Sequence, residues 1–203
     1  YPAIWFIKVI QKFIEISVTA QPFIMGVVIS VVMGILLTMP TSSAAIWIAI
    51  ASGSTSDAMM LAGGAAVVGC AAQMVGFAVM TFKENGVGGL ISQGIGTSML
   101  QIPNIMKHPL IFVPPIIASA IVGPIATCVF KLRCTAGGGG MGTSGLVGVF
   151  GAVEASKGVV SDANIALGIV FLMFVIPAVV SLLLRILFEK KGWIKGEWMK
   201  LDV

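Results

Sequence analysis

Charge is what this sequence has least of. Only 10% of its 203 residues are Asp, Glu, Lys or Arg, where a soluble domain carries about a quarter. With 58% hydrophobic residues and a mean hydropathy of +1.07, it has too few polar groups to cover a surface in water. Its natural solvent is a bilayer. The net charge of +4 is no sign of nucleic-acid binding, because the basic residues crowd one end, at Arg185, Lys190, Lys191, Lys195 and Lys200. They read as the flank of a last membrane helix, which puts the C-terminus in the cytoplasm. Histidine is represented by His108 alone, which excludes a zinc site for want of a second ligand. Cys70, Cys128 and Cys134 form neither a C-x-x-C pair nor a disulfide framework. No metal or cofactor is expected.

What is present is a series of apolar runs. Pro2 to Thr19 carries Lys8, Gln11, Lys12 and Glu15 at helical spacing, opposite Ile7, Ile10 and Ile14. That pattern predicts an interfacial amphipathic helix, with packing against a soluble neighbour as the other reading. Phe23 to Met39 fits a short span ended by Pro40. Ala44 to Ala51 is too short to cross alone and reads as a half-helix. Ala58 to Phe82, with Gln73 in its middle, is a full span; so are His108 to Phe130 and Ala163 to Phe188. Pro114-Pro115 must bend or break the second of these unless neighbours repair the lost hydrogen bonds.

Two further stretches, Asn85 to Met106 and Cys134 to Val153, are charge-poor and long enough to cross, yet glycines and Pro103 make them poor helices. Each holds the same motif, G-x-G-T-S-x-L, as "GIGTSML" from Gly94 and as "GMGTSGL" from Gly140. One such motif alone reads as small-residue helix packing. A matched pair reads as two broken or re-entrant segments lining a cavity, since irregular backbone at membrane depth needs protein or water around it. If Asn85 to Met106 turns back, Lys83 and Lys107 share a side; if it crosses, they do not.

Polar side chains gather around the first motif. Gln93, Thr97, Gln101 and Asn104 share a face if helical, with Glu84, Asn85, Ser92, Ser98 and His108 nearby. Amides and hydroxyls buried in lipid need partners, and a neutral polyol offers both donors and acceptors to match them. Glu84 reads equally as an ion-pair partner of Lys83 or Lys107, His108 as a structural residue, and Glu154, directly after the second segment, as a solvated loop residue. Gly137 to Ser144 mimics a phosphate loop, but Thr143 stands where that loop needs lysine, which excludes nucleotide hydrolysis. Cys134 before a run of glycine amides suggests a reactive thiolate, but its membrane-like surroundings argue against a phosphate acceptor.

The stretches "AQPFIMGVVISVVMGILLTMPTSSAAI", "VGCAAQMVGFAVMTFKENGVGGLISQGIGTSMLQIPNI", "GMGTSGLVG" and "KKGWIKGEWMKLDV" resemble enzyme IIC, the membrane component of bacterial sugar phosphotransferase systems. The nearest branch is the stand-alone IIC-like family that includes proposed regulators of toxin genes. The resemblance spans nearly the whole chain and implies the C-terminal part of a longer protein. It implies an all-α polytopic membrane fold with an amphipathic interfacial helix and two Gly-rich re-entrant hairpins. About four to six spanning helices are expected at roughly 20 residues per span. Residues 1–19 would be a connector, 20–190 a transport-type domain and 191–203 a cytoplasmic tail.

The implied function is binding and translocation of a sugar by alternating access, in a homodimer of the bacterial plasma membrane. Phosphoryl transfer would belong to separate cytosolic IIA and IIB proteins, so no residue here is expected to be catalytic. Lipid and a small neutral solute are the expected partners, and nucleic acid is not. The expected substrate set is Glu84, Asn85, Gln93, Thr97, Ser98, Gln101, Asn104, His108, Thr143, Ser144 and Glu154, with Gly94, Gly96, Gly140 and Gly142 as hairpin glycines. Other enzyme IIC branches use a glutamate and a histidine; Glu84 and His108 correspond by type and place only, since the glutamate motif of those branches is missing here. Two alternatives stand: a non-transporting sensor on the same fold, and a transporter or channel for another solute. Ion coupling would want acids inside the membrane, whereas Asp57, Glu84, Glu154 and Asp162 all fall at segment ends.

Overall fold

Three helices, α2 (Pro22–Thr38), α4 (Asp57–Met80) and α7 (Val113–Cys128), pack so closely that their backbones touch. The computed structural model describes residues 2–201. A Cβ on Gly69 of α4 would lie 2.1 Å from the Ser30 carbonyl of α2. One on Gly123 of α7 would lie 2.2 Å from the Gly26 carbonyl. Small residues permit this approach where the surroundings give no hydrophobic drive. Hydroxyls then tie the trio together: Ser30 donates to the Ser119 carbonyl at 2.8 Å and Ser119 to the Gly69 carbonyl at 3.1 Å. The Gln73 amide, wholly buried in mid-helix, donates to the Ser119 hydroxyl.

Around this centre lie α1 (Pro2–Ala20), α3 (Ser43–Ala51) and the long α9 (Asp162–Lys190), whose middle, Ile169–Val175, is π-helical just before Pro177. Proline has no N–H to donate, and the widened turn accommodates its gap. The central position of α4 shows in its burial, 83% of its apolar window against 33% for α9. The stretch from His108 is broken at the proline pair: a 3-10 turn, Pro109–Phe112, gives way to α7 at Val113, so Pro114 and Pro115 fall in the first turn of α7, where no N–H partner is required. On α1, Ile14 and Val18 face inward, while Trp5, Phe13 and Ile16 are exposed. Its polar stripe is divided. Lys8 and Lys12 are exposed, but Gln11 bonds the Ile50 carbonyl and Glu15 accepts from Ser54 and from Ser56 (2.6 Å).

Hydrogen bonds bring the start and the end of each glycine-rich stretch to one place. The first runs through α5 (Phe82–Ile91), a π-turn at Ser92–Gly96, a break at Thr97 and α6 (Ile102–Lys107). Asn85 near its start and Asn104 near its end bond the same short stretch of backbone, residues 199–201. The second runs without a helix from Arg133 to Thr143 and returns as α8 (Val147–Ser156). There the Arg133 N–H donates to the Ser156 hydroxyl (2.9 Å), closing the loop. Arg133 also pairs with Asp57, at the N-terminal end of α4, whereas Arg185 pairs with Glu84 beside its C-terminal end. The two stretches therefore start from opposite ends of α4.

Among the described residues three helices are long and apolar enough to cross a membrane, namely Asp57–Met80, Pro109–Cys128 and Asp162–Lys190, with α2 a shorter apolar helix. No strand forms among them beyond an isolated bridge of Lys157 with Val160. The protein is an all-α polytopic membrane protein.

Candidate functional site

The two G-x-G-T-S-x-L motifs meet. The Thr143 hydroxyl donates to the Gly94 carbonyl at 2.6 Å and the Ser144 hydroxyl to the Gly96 carbonyl at 2.9 Å. The second motif thus supplies side-chain donors and the first supplies main-chain acceptors. Around them, Ser98 shares a hydrogen bond with Thr38 of α2 (2.9 Å), Ser43 donates to the Gly140 carbonyl (2.7 Å) and Thr97 accepts from the Met99 N–H (3.1 Å). The junction lies halfway along α4, because Gly142 rests against Cys70 and Ala71. A cleft of about 430 Å³ opens beside it, with Thr41, Ser42, Thr97 and Met141 in its wall.

A second polar centre lies toward the C-terminal end of α4. Arg185, only 5% exposed, grips Glu84 through both terminal guanidinium nitrogens, at 2.8 and 2.5 Å, and Glu189 at 2.9 Å, and it caps the Met80 carbonyl. Arg185 is therefore a buried ion-pair residue and not a member of the basic flank, and Glu84 pairs with neither Lys83 nor Lys107. A buried charge of this kind is tolerable only when so fully partnered. Asn85 donates to the Met199 carbonyl (2.9 Å) and accepts from the Leu201 N–H (2.8 Å). Gln101 donates to Met199 and to Gln93, whose own amide reaches Thr81. Asn104 donates to the Lys200 carbonyl (3.0 Å). The His108 ring stacks on Trp198, with centroids 3.9 Å apart and planes 8° from parallel. Beside them lies a cavity of about 450 Å³ lined by Glu84, Asn85, Gly88, Gly89, Ser92 and Lys200.

The residues singled out in the sequence thus fall into two groups. Thr97, Ser98, Thr143, Ser144 and the motif glycines form the junction. Glu84, Asn85, Gln101, Asn104 and His108 surround the C-terminal segment, with Gln93 hydrogen-bonded into the same network. Glu154 is exposed on α8, outside both groups. Cys134 is 2% exposed beneath Gly138 and Gly151, out of reach of a phosphoryl donor. Among the described residues no cluster of His, Cys, Asp or Glu gathers to hold a metal ion. Sequence reasoning missed Arg185, Thr38, Ser43 and the backbone of residues 199–201. For Arg185 a signal existed, a lone charge inside "SLLLRILF", since a charge within a span is costly and marks a role.

Apolar helices around two broken segments, with polar groups buried between them, define the architecture of a membrane transport protein. The sequence model of the family described as "Phosphotransferase system, EIIC" matches residues 3–201. The chain belongs to that family and is a permease-like membrane component of a phosphotransferase system, which works with other proteins of the system. Neither a curated protein nor a solved structure matches it.

Proposed function

We propose that the chain binds a sugar in the cavity beside Glu84, Asn85 and Ser92 and passes it across the membrane by alternating access. The junction of the two motifs acts as the gate. In this reading the turned-back stretches are re-entrant hairpins entering from opposite faces. Residues 1–19 connect, 20–190 transport and 191–203 form a cytoplasmic tail. The working unit is a homodimer in the bacterial plasma membrane, and cytosolic IIA and IIB proteins carry the phosphoryl group. The observation that supports it most is the tip-to-tip contact, in which hydroxyls bond glycine carbonyls across the junction. Such donors can exchange a carbonyl for a solute hydroxyl without being left unpaired. The Glu84 carboxylate, although held by Arg185, keeps lone pairs free for sugar hydroxyls.

Titration of the protein in nanodiscs against a panel of mono- and disaccharides tests the proposal. One sugar should bind, and Ser92→Ala, which removes a cavity-wall hydroxyl bonded only to the Gly89 carbonyl, should weaken it several-fold. Glu84→Gln should weaken it by about tenfold or more, roughly 1.4 kcal/mol. Absence of any sugar binding would refute the reading. A second reading, a sensor that binds without transport, is favoured by the occupied amides of Asn85, Gln101 and Asn104. Sugar uptake into proteoliposomes separates the two.

A further inference from the structure

Residues 194–201 form no regular span and no long helix, only a 3-10 turn at Gly196–Met199 followed by extended chain. They are nonetheless hydrogen-bonded to the first glycine-rich stretch at three successive residues, 199 to 201. Asn85 offers its amide to this segment as one strand offers its backbone to another, donating to the carbonyl of residue 199 and accepting from the N–H of residue 201. Gln101 adds a second donor to the Met199 carbonyl, and Asn104 takes the next carbonyl, of Lys200. Ile194, Met199 and Leu201 are buried as anchors. Trp198 covers His108, and a Cβ at Gly196 would lie 2.3 Å from a Glu84 oxygen.

We infer that Asn85, Gln101 and Asn104 form an amide clamp for extended backbone, and that residues 196–201 are a strap which occupies it and closes the sugar cavity. The inference rests on the sugar reading of that cavity. The clamp contacts main chain alone at residue 200, whose lysine side chain is exposed. Lys200 and Leu201 form one wall of the cavity, so lifting them opens it. Lifting also frees the amides, each able to give and accept bonds from a polyol. Strap and solute therefore compete for the same groups. A strap docked about nine-tenths of the time lowers apparent affinity about tenfold.

The test uses the whole chain in nanodiscs and two readouts: sugar affinity, and hydrogen exchange without sugar at the amides of Trp198 and Lys200, bonded within the turn, and of residue 201, bonded to Asn85, wherever it keeps its N–H. Leu201→Pro removes the one N–H that Asn85 accepts, and Lys200, at φ −68° and ψ 132°, already has the conformation required before proline. Leu201→Ala keeps that N–H and controls for lost packing. Trp198→Ala removes the stack on His108. The expected result is slow exchange in the unaltered chain, exchange at least tenfold faster in Leu201→Pro and Trp198→Ala, and sugar binding about tenfold tighter in both. Leu201→Ala should fall closer to the unaltered chain. Rapid exchange in the unaltered chain overturns the clamp. Faster exchange in the variants with unchanged or weaker sugar binding overturns the strap and leaves the sugar reading intact. Faster exchange with no sugar bound by any variant refutes the sugar reading, and the masking role falls with it.

Discussion

Two glycines that occupy matching places in the repeated motif have different physical tasks. Gly142 has φ +57° and a Cβ there would lie 2.7 Å from the Ala71 nitrogen, so it is required both by conformation and by space. Gly96 has nothing within 4 Å of its Cβ position. Gly142→Ala should therefore lower the thermal unfolding midpoint in detergent, at a cost of at least about 1–3 kcal/mol, while Gly96→Ala should leave it within experimental error. Equal losses from the two would mean that the motif acts as a sequence unit and not through its geometry. The same scale shows why the partner of Glu84 could not be read from sequence. Lys83 and Lys107 are near in the chain, whereas Arg185 lies 101 residues away and reaches Glu84 only because α9 packs along α4. In sequence Arg185 resembles a flank charge because it shares the C-terminal end with four lysines. Its burial depends on the packing of α9, which composition does not encode.

At the scale of elements, hydropathy located each long helix to within a few residues, because lipid imposes length and polarity directly. The proline pair marks a break in the span but not its form, a 3-10 turn, Pro109–Phe112, that hands over to α7 at Val113. The anchoring of α1 carries a pH dependence. Hydrogen bonds from Ser54 and then Ser56 hold the Glu15 carboxyl below its ordinary pKa, against a small opposing effect of burial. A carboxyl with a lowered folded-state pKa stabilises the docked form above its unfolded pKa of about 4.3, and that contribution disappears as pH falls through the lower, folded value. The distance between spin labels placed at Thr19 and Ser52 should thus be constant from neutral pH down to about pH 5 and broaden only below the carboxylate range. Glu15→Gln should broaden it at neutral pH and abolish the transition.

At the scale of the whole molecule, two broken stretches and a polar set were legible because glycine, proline and amides are anomalous in lipid. Their arrangement was not legible. The repeat suggested that the motifs were alike, and nothing in the spacing of Thr143 and Ser144 indicated that their acceptors would be Gly94 and Gly96. Nor did the sequence indicate that the polar face of the first stretch would be covered by the chain's own residues 199–201. If the junction is the gate, Gly96→Cys with Ser144→Cys bridged by a short bis-methanethiosulfonate should abolish sugar uptake into proteoliposomes, and reductant should restore it; a direct disulfide is out of reach, because the Cβ position at residue 96 has no neighbour within 4 Å. Sugar binding to the cross-linked protein should persist. Uptake that survives complete cross-linking would place the gate elsewhere.

The direction of the hydrogen bonds at the junction has a consequence for how the molecule can vary. Its acceptors are peptide carbonyls, which no substitution can delete, whereas its donors are two side chains that a single codon change can remove. Drift in the first motif therefore preserves half of every latch bond, and drift in the second does not. A library that randomises Met99, in the wall of the cleft beside the junction, explores new cleft walls with the latch closed. One that varies Thr143 and Ser144 tunes how readily it opens.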